Sequence, residues 1–308
     1  MRAAAIQTVA PAGDVDANLE ACERLARQAA RDGADWVVLP EFFASGVGLL
    51  PRLRDEAPPA DGAPLQLLRT LARETGTVAG GSALVRDDDG EVRNAFWLVG
   101  RDGEVLGRHD KDLPTMWENA LYVGGDDDGV IDAGDGVAAG VALCWELMRT
   151  RTAKRLAGRV DLVVGGSGWW SVPLWHPRGA FRRMASSSAR HAMQAAPRFA
   201  RALGVPVVHA AHAGPLACPM PWTGGITYRG HFEGGAAVCD GDGRVLAFRH
   251  RRDGEGVVAA DVQPARRPLP APLPDRFWLQ TRGALPSVVW TYQRAHGRRA
   301  YARARVAA

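Results

Sequence analysis

The chain has 308 residues, a formal net charge of +4, 46% hydrophobic residues and 23% charged ones, the proportions of an ordinary globular protein with a sizeable core. Basic and acidic residues are interspersed, and no basic stretch carries the interleaved aromatics of a single-strand platform, which argues against a nucleic-acid partner. No apolar run is long enough to span a membrane, so no membrane partner is expected either.

The four cysteines, Cys22, Cys144, Cys218 and Cys239, form no CxxC pair. That argues against a zinc site or a disulfide framework and suits a reducing cytoplasm. Met1 to Val9 has no signal-peptide h-region, so the expected location is cytoplasmic. Ala3 to Val9 reads as a strand, and Asn18 to Arg31 as an amphipathic helix with Leu19, Cys22, Leu25 and Ala29 on one side. Asp35 to Leu39 is a second buried strand, which puts Glu41 at its carboxyl end, where open α/β sheets gather their sites. The setting Pro40-Glu41-Phe42-Phe43 is apolar and raises a carboxyl towards the working range of a general base. A surface glutamate at a loop start would read the same way.

Leu65 to Thr75 predicts a helix, followed by strands at Thr77 to Leu84, Asn94 to Val99 and Val105 to Arg108. The loop His109 to Thr115 comes next, then Glu118. The acidic run Asp126-Asp127-Asp128-Gly129 lacks the ligand spacing of a calcium loop and reads as a solvated turn. Val137 to Leu143 is a run of small and β-branched residues, hence a buried strand that stops at Cys144. Trp145 to Leu156 then takes up helical spacing. A thiol at such a strand-to-helix turn sits near the positive end of the helix dipole, with free backbone N–H groups beside it, a plausible place for a nucleophile. Packing of the strand's end by Cys144 is the alternative.

Strands at Leu162 to Gly165, Pro206 to Ala210, Ala236 to Val238, Val245 to Phe248 and Val257 to Val262 surround a helix at Ser186 to Leu203. The alternation is that of an α/β fold. Beyond Pro264 the chain turns Pro-rich and then Arg-rich and reads as a tail, extended over Pro264 to Pro274. Phe277, Trp278, Leu279, Val288, Val289, Trp290 and Tyr292 are too costly to leave in water, so the tail should dock on its own subunit or a neighbour, acting in assembly.

Glu41, Lys111 and Cys144 thus come from separate strand ends. The blocks that hold them are Gly33-Ala34-Asp35-Trp36-Val37-Val38-Leu39-Pro40-Glu41, Gly107-Arg108-His109-Asp110-Lys111-Asp112-Leu113-Pro114-Thr115, and Ala142-Leu143-Cys144-Trp145-Glu146. In this order, with Asn94 and Asp102-Gly103 between them, they make the chain resemble the nitrilase, or carbon–nitrogen hydrolase, superfamily. The resemblance covers residues 1–263, as a hydrolase domain, and leaves 264–308 as a C-terminal extension. It implies a four-layer α-β-β-α sandwich, a homodimer or higher homo-oligomer, and no metal or organic cofactor. It also implies roles: Cys144 as nucleophile, Glu41 as proton shuttle, Lys111 with the Trp145 N–H as oxyanion holder, and Glu118 as the group that orients Lys111.

The expected reaction is thiol-dependent cleavage of a small-molecule carbon–nitrogen bond, an amide before a nitrile. Alternatives are an aromatic or bulky nitrile, transfer of the acyl group to an amine, and a silent assembly protein, against which the intact trio argues. Trp169 and Trp170 fall where the superfamily lines its acyl pocket, with Trp175 and His176 as an extension of that wall and Trp145 as a further substrate contact. Core or interface packing is the alternative, and two indoles favour an aromatic or flat acyl group over a short aliphatic one. His191, His209, His212 and His231 read as structural. The 209/212 spacing does not put both rings on one face of a strand, which argues against a metal pair.

Overall fold

The structure is a computed structural model and describes residues 1–173, 175–220, 225–281 and 284–307. Asp14 caps the first helix, its carboxylate accepting the Ala17 N–H at 3.3 Å, and Asn18, Cys22, Leu25 and Ala29 turn inward at helical spacing. This α1 (Val15–Arg31) follows β1 (Arg2–Val9) and leads to β2 (Trp36–Val38). A short α2 (Arg52–Asp55), then α3 (Ala63–Thr75), β3 (Val78–Arg86), β4 (Val92–Val99) and β5 (Val105–Asp110) complete the first half. The second half runs β6 (Val130–Asp132), β7 (Ala138–Val141), α4 (Thr150–Leu156), β8 (Leu162–Ser167), α5 (Arg178–Leu203) and β9 (Val207–Ala213). A hairpin of β10 (Pro215–Pro219) and β11 (Thr227–His231) precedes β12 (Gly234–Cys239), β13 (Val245–His250) and β14 (Gly256–Asp261), and α6 (Ala284–Ala307) closes the chain.

The strands of one large sheet follow the order β5-β4-β3-β2-β1-β9-β8-β7-β6, with β12 on β9, β13 on β12 and β14 antiparallel to β1. From β3 through β1 to β9, β8 and β7 the neighbours are parallel, and such strands are buried on both faces. β1 shows why the sequence suits this: Ala3, Ala4, Ala5 and Ile6 are all fully buried. Alternation sends Ala4 and Ile6 to a cluster with Leu25 of α1 and Leu68 of α3. Ala3 and Ala5 go instead to a central cluster with Phe96, Val141, Val164 and Val208. A third cluster packs Leu156 of α4 and Phe199 of α5 on Val163 and Val207. Gly166 of β8 serves the site directly, because a Cβ there would come within 2.7 Å of the Glu41 amide nitrogen.

Four local readings need correction. The expected helix from Trp145 to Leu156 is split: Cys144–Met148 forms a 3-10 turn, Arg149 is extended, and α4 starts afresh at Thr150. Glu146 closes that turn by accepting the Leu143 N–H at 2.8 Å, and Arg149 leaves it to pair with Asp112. α5 begins at Arg178, eight residues before the expected start at Ser186. The β10-β11 hairpin had no expectation at all. Lastly, the Arg-rich end of the chain is the 24-residue helix α6.

The extension packs on its own chain. Residues 264–280 run without helix or strand. The Thr150 N–H donates to the Phe277 carbonyl at 3.1 Å and the Leu279 N–H to that of Met148 at 2.9 Å. Trp278 stands edge-on to Trp145 at 5.4 Å. α6 then crosses the 3-10 turn Met116–Ala120 so closely that a Cβ on Gly297 would lie 2.8 Å from the Asn119 Cβ. At its far end the buried Tyr301 hydroxyl accepts the Val92 N–H at 2.9 Å and donates to Glu91 at 2.8 Å. Tyr301→Phe strands a buried N–H and is expected to cost about 1–2 kcal/mol in urea unfolding, with an unchanged m-value. A midpoint equal to that of the wild type would show that α6 is not pinned there.

Candidate active site

Glu41 lies three residues beyond the end of β2, and its side chain is fully buried. One carboxylate oxygen accepts from Lys111 Nζ at 2.7 Å and from Asn94 Nδ2 at 3.0 Å; the other accepts the Gly168 N–H at 3.0 Å. Its backbone carbonyl is held as well, accepting from His212 Nε2 at 2.6 Å, while His212 Nδ1 accepts from the Thr8 hydroxyl at 2.9 Å. Burial drives the His212 ring down to about 4, so it is neutral and this tautomer is the one the two partners require.

Lys111 follows β5, and its N–H donates to the Asn94 carbonyl at 3.0 Å. The ammonium reaches Glu118 as well, at 2.8 Å. Glu118 is fixed in turn by the Thr115 N–H at 2.9 Å and by a short hydrogen bond from the Tyr122 hydroxyl. Burial alone would lower the Lys111 pKa, but the carboxylates of Glu118 and Glu41 outweigh it and hold the group well above its usual value. For Glu41 burial wins: it raises the carboxyl, Lys111 offsets only part, and Glu118 adds to the rise.

Cys144 is buried at the end of the strand run, with φ at 50°. A non-glycine residue in that region is strained and persists only where its surroundings hold it. Burial pushes the thiol well above its usual pKa, the charges of Glu41 and Glu118 add to this, and Lys111 and the Trp145 N–H oppose it. This corrects the expectation of a thiolate stabilised by a helix dipole. A five-residue 3-10 turn supplies little dipole, and the Cys144 side chain rests as a thiol.

Cys144 opens on a cavity of 370 Å³. Trp145, Trp169, Trp170 and Trp175 line it, whereas His176 is exposed and does not. Trp117 and Trp170 stack at 4.5 Å, and Trp145 meets Trp169 at 6.1 Å. Sequence reasoning missed Trp117, Tyr228 and the α6 residues Val289 and Gln293, which also face the cavity, as does Cys218. Trp117 stands next to Glu118 and could have been found from it. Nothing local marks the others.

A second network joins the Lys111 and Cys144 loops. His109, two residues before Lys111, has Nδ1 2.5 Å from Asp127 and Nε2 3.2 Å from Glu146. Glu146 also accepts the Asp112 N–H at 3.2 Å. The acidic run is therefore not merely a solvated turn, since Asp127 additionally accepts the Asp110 N–H at 2.9 Å. His209, by contrast, bonds Ser167 at 3.0 Å, away from His212's partners, and no metal-holding cluster exists among the described residues.

Burial would lower the His109 ring, but the Glu146 charge and the Asp127 hydrogen bond outweigh it and lift the pKa from 6.5 to about 9. A raised folded-state pKa gives stability that is complete below pH 6.5 and lost as pH climbs through 9. Wild-type unfolding free energy is expected to fall by up to about 3 kcal/mol across that window, and His109→Gln to remove the slope. Urea unfolding at a series of pH values checks this; equal slopes in both proteins would place the titrating group elsewhere.

The sequence profile of the family described as carbon–nitrogen hydrolase matches residues 2–268. A protein described as "Hydrolase in pqqF 5'region" from Pseudomonas protegens is 30% identical over 159 residues, covering 51% of this chain and 55% of that one. Omega-amidase NIT2-B of Xenopus laevis is 29% identical over 153 residues, covering 46% and 54%. This chain thus spans about half the length of these relatives. Among solved structures, an amidase from Nesterenkonia sp. superposes with a TM-score of 0.67 at 22% identity, over 86% of this chain and 91% of the other. The mixed α/β fold with its large sheet is therefore shared. The profile match runs through all three blocks that carry Glu41, Lys111 and Cys144, and the chain belongs to the carbon–nitrogen hydrolase family.

Proposed function

We propose that this protein hydrolyses the amide bond of a small molecule through a thioester on Cys144. The observation that carries the reading is one buried ammonium, Lys111, shared by Glu41 and Glu118 beside a thiol that cannot ionise unaided. Glu41 takes the Sγ proton as sulfur attacks the carbonyl carbon. The tetrahedral oxyanion meets Lys111 and the Trp145 N–H. Glu41 returns the proton to the leaving nitrogen, the C–N bond breaks, and the amine departs. Glu41 then takes a proton from water as that water attacks the thioester, and the carboxylic acid leaves with Cys144 reprotonated. Glu118 positions Lys111 and does not touch substrate. Trp145, Trp169 and Trp170 would hold the acyl group.

An amide is favoured over a nitrile because relatives at 29% identity bear the description omega-amidase and the fold neighbour is described as an amidase. The family resemblance adds the four-layer sandwich and a homo-oligomer to this proposal, with no cofactor, and the cysteine pattern adds a cytoplasmic location.

With a panel of small amides, mass spectrometry of the wild type should catch an acyl adduct on Cys144, and Cys144→Ala should show neither adduct nor turnover. Lys111→Ala should lose about two to three orders of magnitude in kcat with KM far less affected, the size of one removed oxyanion donor. Turnover by Cys144→Ala at a comparable rate would overturn the mechanism, and a pure KM effect at Lys111 would reduce it to a binding group.

A further inference from the structure

We propose that, resting on the amide-hydrolase reading above, this enzyme selects an uncharged aromatic acyl group, and that helix α6 supplies a specificity-determining wall through Val289 and Gln293. The cavity beside Cys144 is lined by indoles from three separate chain segments, and among its described lining residues there is no Lys, Arg, Asp or Glu. An apolar cavity of about 150 Å³ accepts a benzene ring. At 370 Å³ this one has room for one or two fused rings next to the scissile amide. A short aliphatic acyl group would leave most of the indole surface uncovered. A carboxylate-bearing one would be stripped of water with no counter-charge, a loss of about a hundredfold or more.

α6 is tied to the reacting end as well as to the cavity. Trp290 meets Trp278 at 6.3 Å, and Trp278 meets Trp145, the residue after the nucleophile, at 5.4 Å. Val289 and Gln293, four residues apart and so on one face of the helix, both line the cavity. The Gln293 Oε1 atom is buried and has no hydrogen-bond partner among the described residues. A buried acceptor left unpaired in an aromatic box calls for a donor from the ligand, so a hydroxyl or amino substituent on the ring should bind better than a bare ring. His191 lines the same cavity but cannot serve, because its ring nitrogens already face the carbonyls of Ser187 at 2.7 Å and Thr281 at 3.2 Å.

The test compares acetamide, benzamide, 2-naphthamide, 4-hydroxybenzamide and 4-carboxybenzamide on the full chain, by kcat/KM and by acyl-adduct mass. The aromatic amides are expected to exceed acetamide by at least about tenfold, and 4-carboxybenzamide to fall about a hundredfold below benzamide. Val289→Trp should cut the naphthamide-to-acetamide ratio about tenfold, and the gentler Val289→Ala should not lower it. Gln293→Leu should cut the 4-hydroxybenzamide-to-benzamide ratio about fivefold. Thermal melts of each variant separate misfolding from altered choice, and ratios of substrates on one protein are insensitive to the active fraction. Adducts formed as readily from acetamide or 4-carboxybenzamide, or ratios untouched by these variants, overturn the selection while leaving the hydrolase reading intact. Absence of any adduct across the panel, together with quenching of tryptophan fluorescence by benzamide in Cys144→Ala, would sink the hydrolase reading and support the aromatic pocket.

Discussion

The site depends on a single ammonium group placed out of reach of water between two carboxylates. Removing an ion from water costs several kcal/mol even after relaxation, and only close, fully hydrogen-bonded partners offset that. Lys111 has close carboxylates on two sides, at 2.7 and 2.8 Å, and that of Glu41 is hydrogen-bonded through both oxygens. Two carboxylates against one ammonium leave an excess negative charge in an apolar surround. Burial lifts the Glu41 carboxyl above its usual value, with the Glu118 charge adding to the rise, and burial together with the two carboxylates keeps Cys144 protonated. Passing the proton from Cys144 to Glu41 moves the charge without changing its sum, so the low dielectric that would forbid ionising the thiol alone permits the transfer.

Such a balance holds only if the groups cannot swing away from one another, and the surrounding bonds serve that end. Asn94 and the Gly168 N–H fix the Glu41 carboxylate, while His212 fixes its backbone. The His212 pair with Thr8 on β1 is neutral, so it orients Glu41 without adding charge to the balance. Tyr122 plays the corresponding part for Glu118, its hydroxyl kept protonated by burial and by the Glu118 charge. Positioning by neutral donors around a charged trio is a consistent pattern here, and it is what a preorganised oxyanion site requires.

How much of this was legible in the sequence follows from how local each signal is. Glu41, Lys111, Cys144 and Glu118 stand in short blocks whose flanking strands are strongly apolar, so both their positions and their neighbours could be read. His212 could not, because its importance comes from strand β9 lying beside β1, a pairing between residues about two hundred apart. The acidic run misled for the same reason: Asp127 has no apolar neighbours in sequence, yet it faces a buried histidine. The break at Arg149 was hidden because helical periodicity continues through it, and tertiary pairing with Asp112 decides the backbone there. Helix α6 was missed because its Arg-rich sequence carries a weak apolar stripe, and its docking on Met116–Ala120 is a contact across the whole chain.

That last contact changes what the C-terminal extension is. Asp112, the residue after Lys111, is paired with Arg149, whose guanidinium lies 5.1 Å from the centre of the Phe277 ring. Trp278 packs on Trp145, the residue after Cys144. The extension therefore packs directly on the residue after Cys144 and reaches the residue after Lys111 through Arg149. Arg149 is also the extended residue that separates the Cys144 turn from α4, and its isolated bridge to Trp278 holds it in that conformation. A segment so attached cannot shift without moving the turn that strains Cys144. Phe277, Trp278 and Leu279, which composition alone assigns to assembly, are thereby part of the frame around the Cys144 turn, and Val289 is part of the cavity wall.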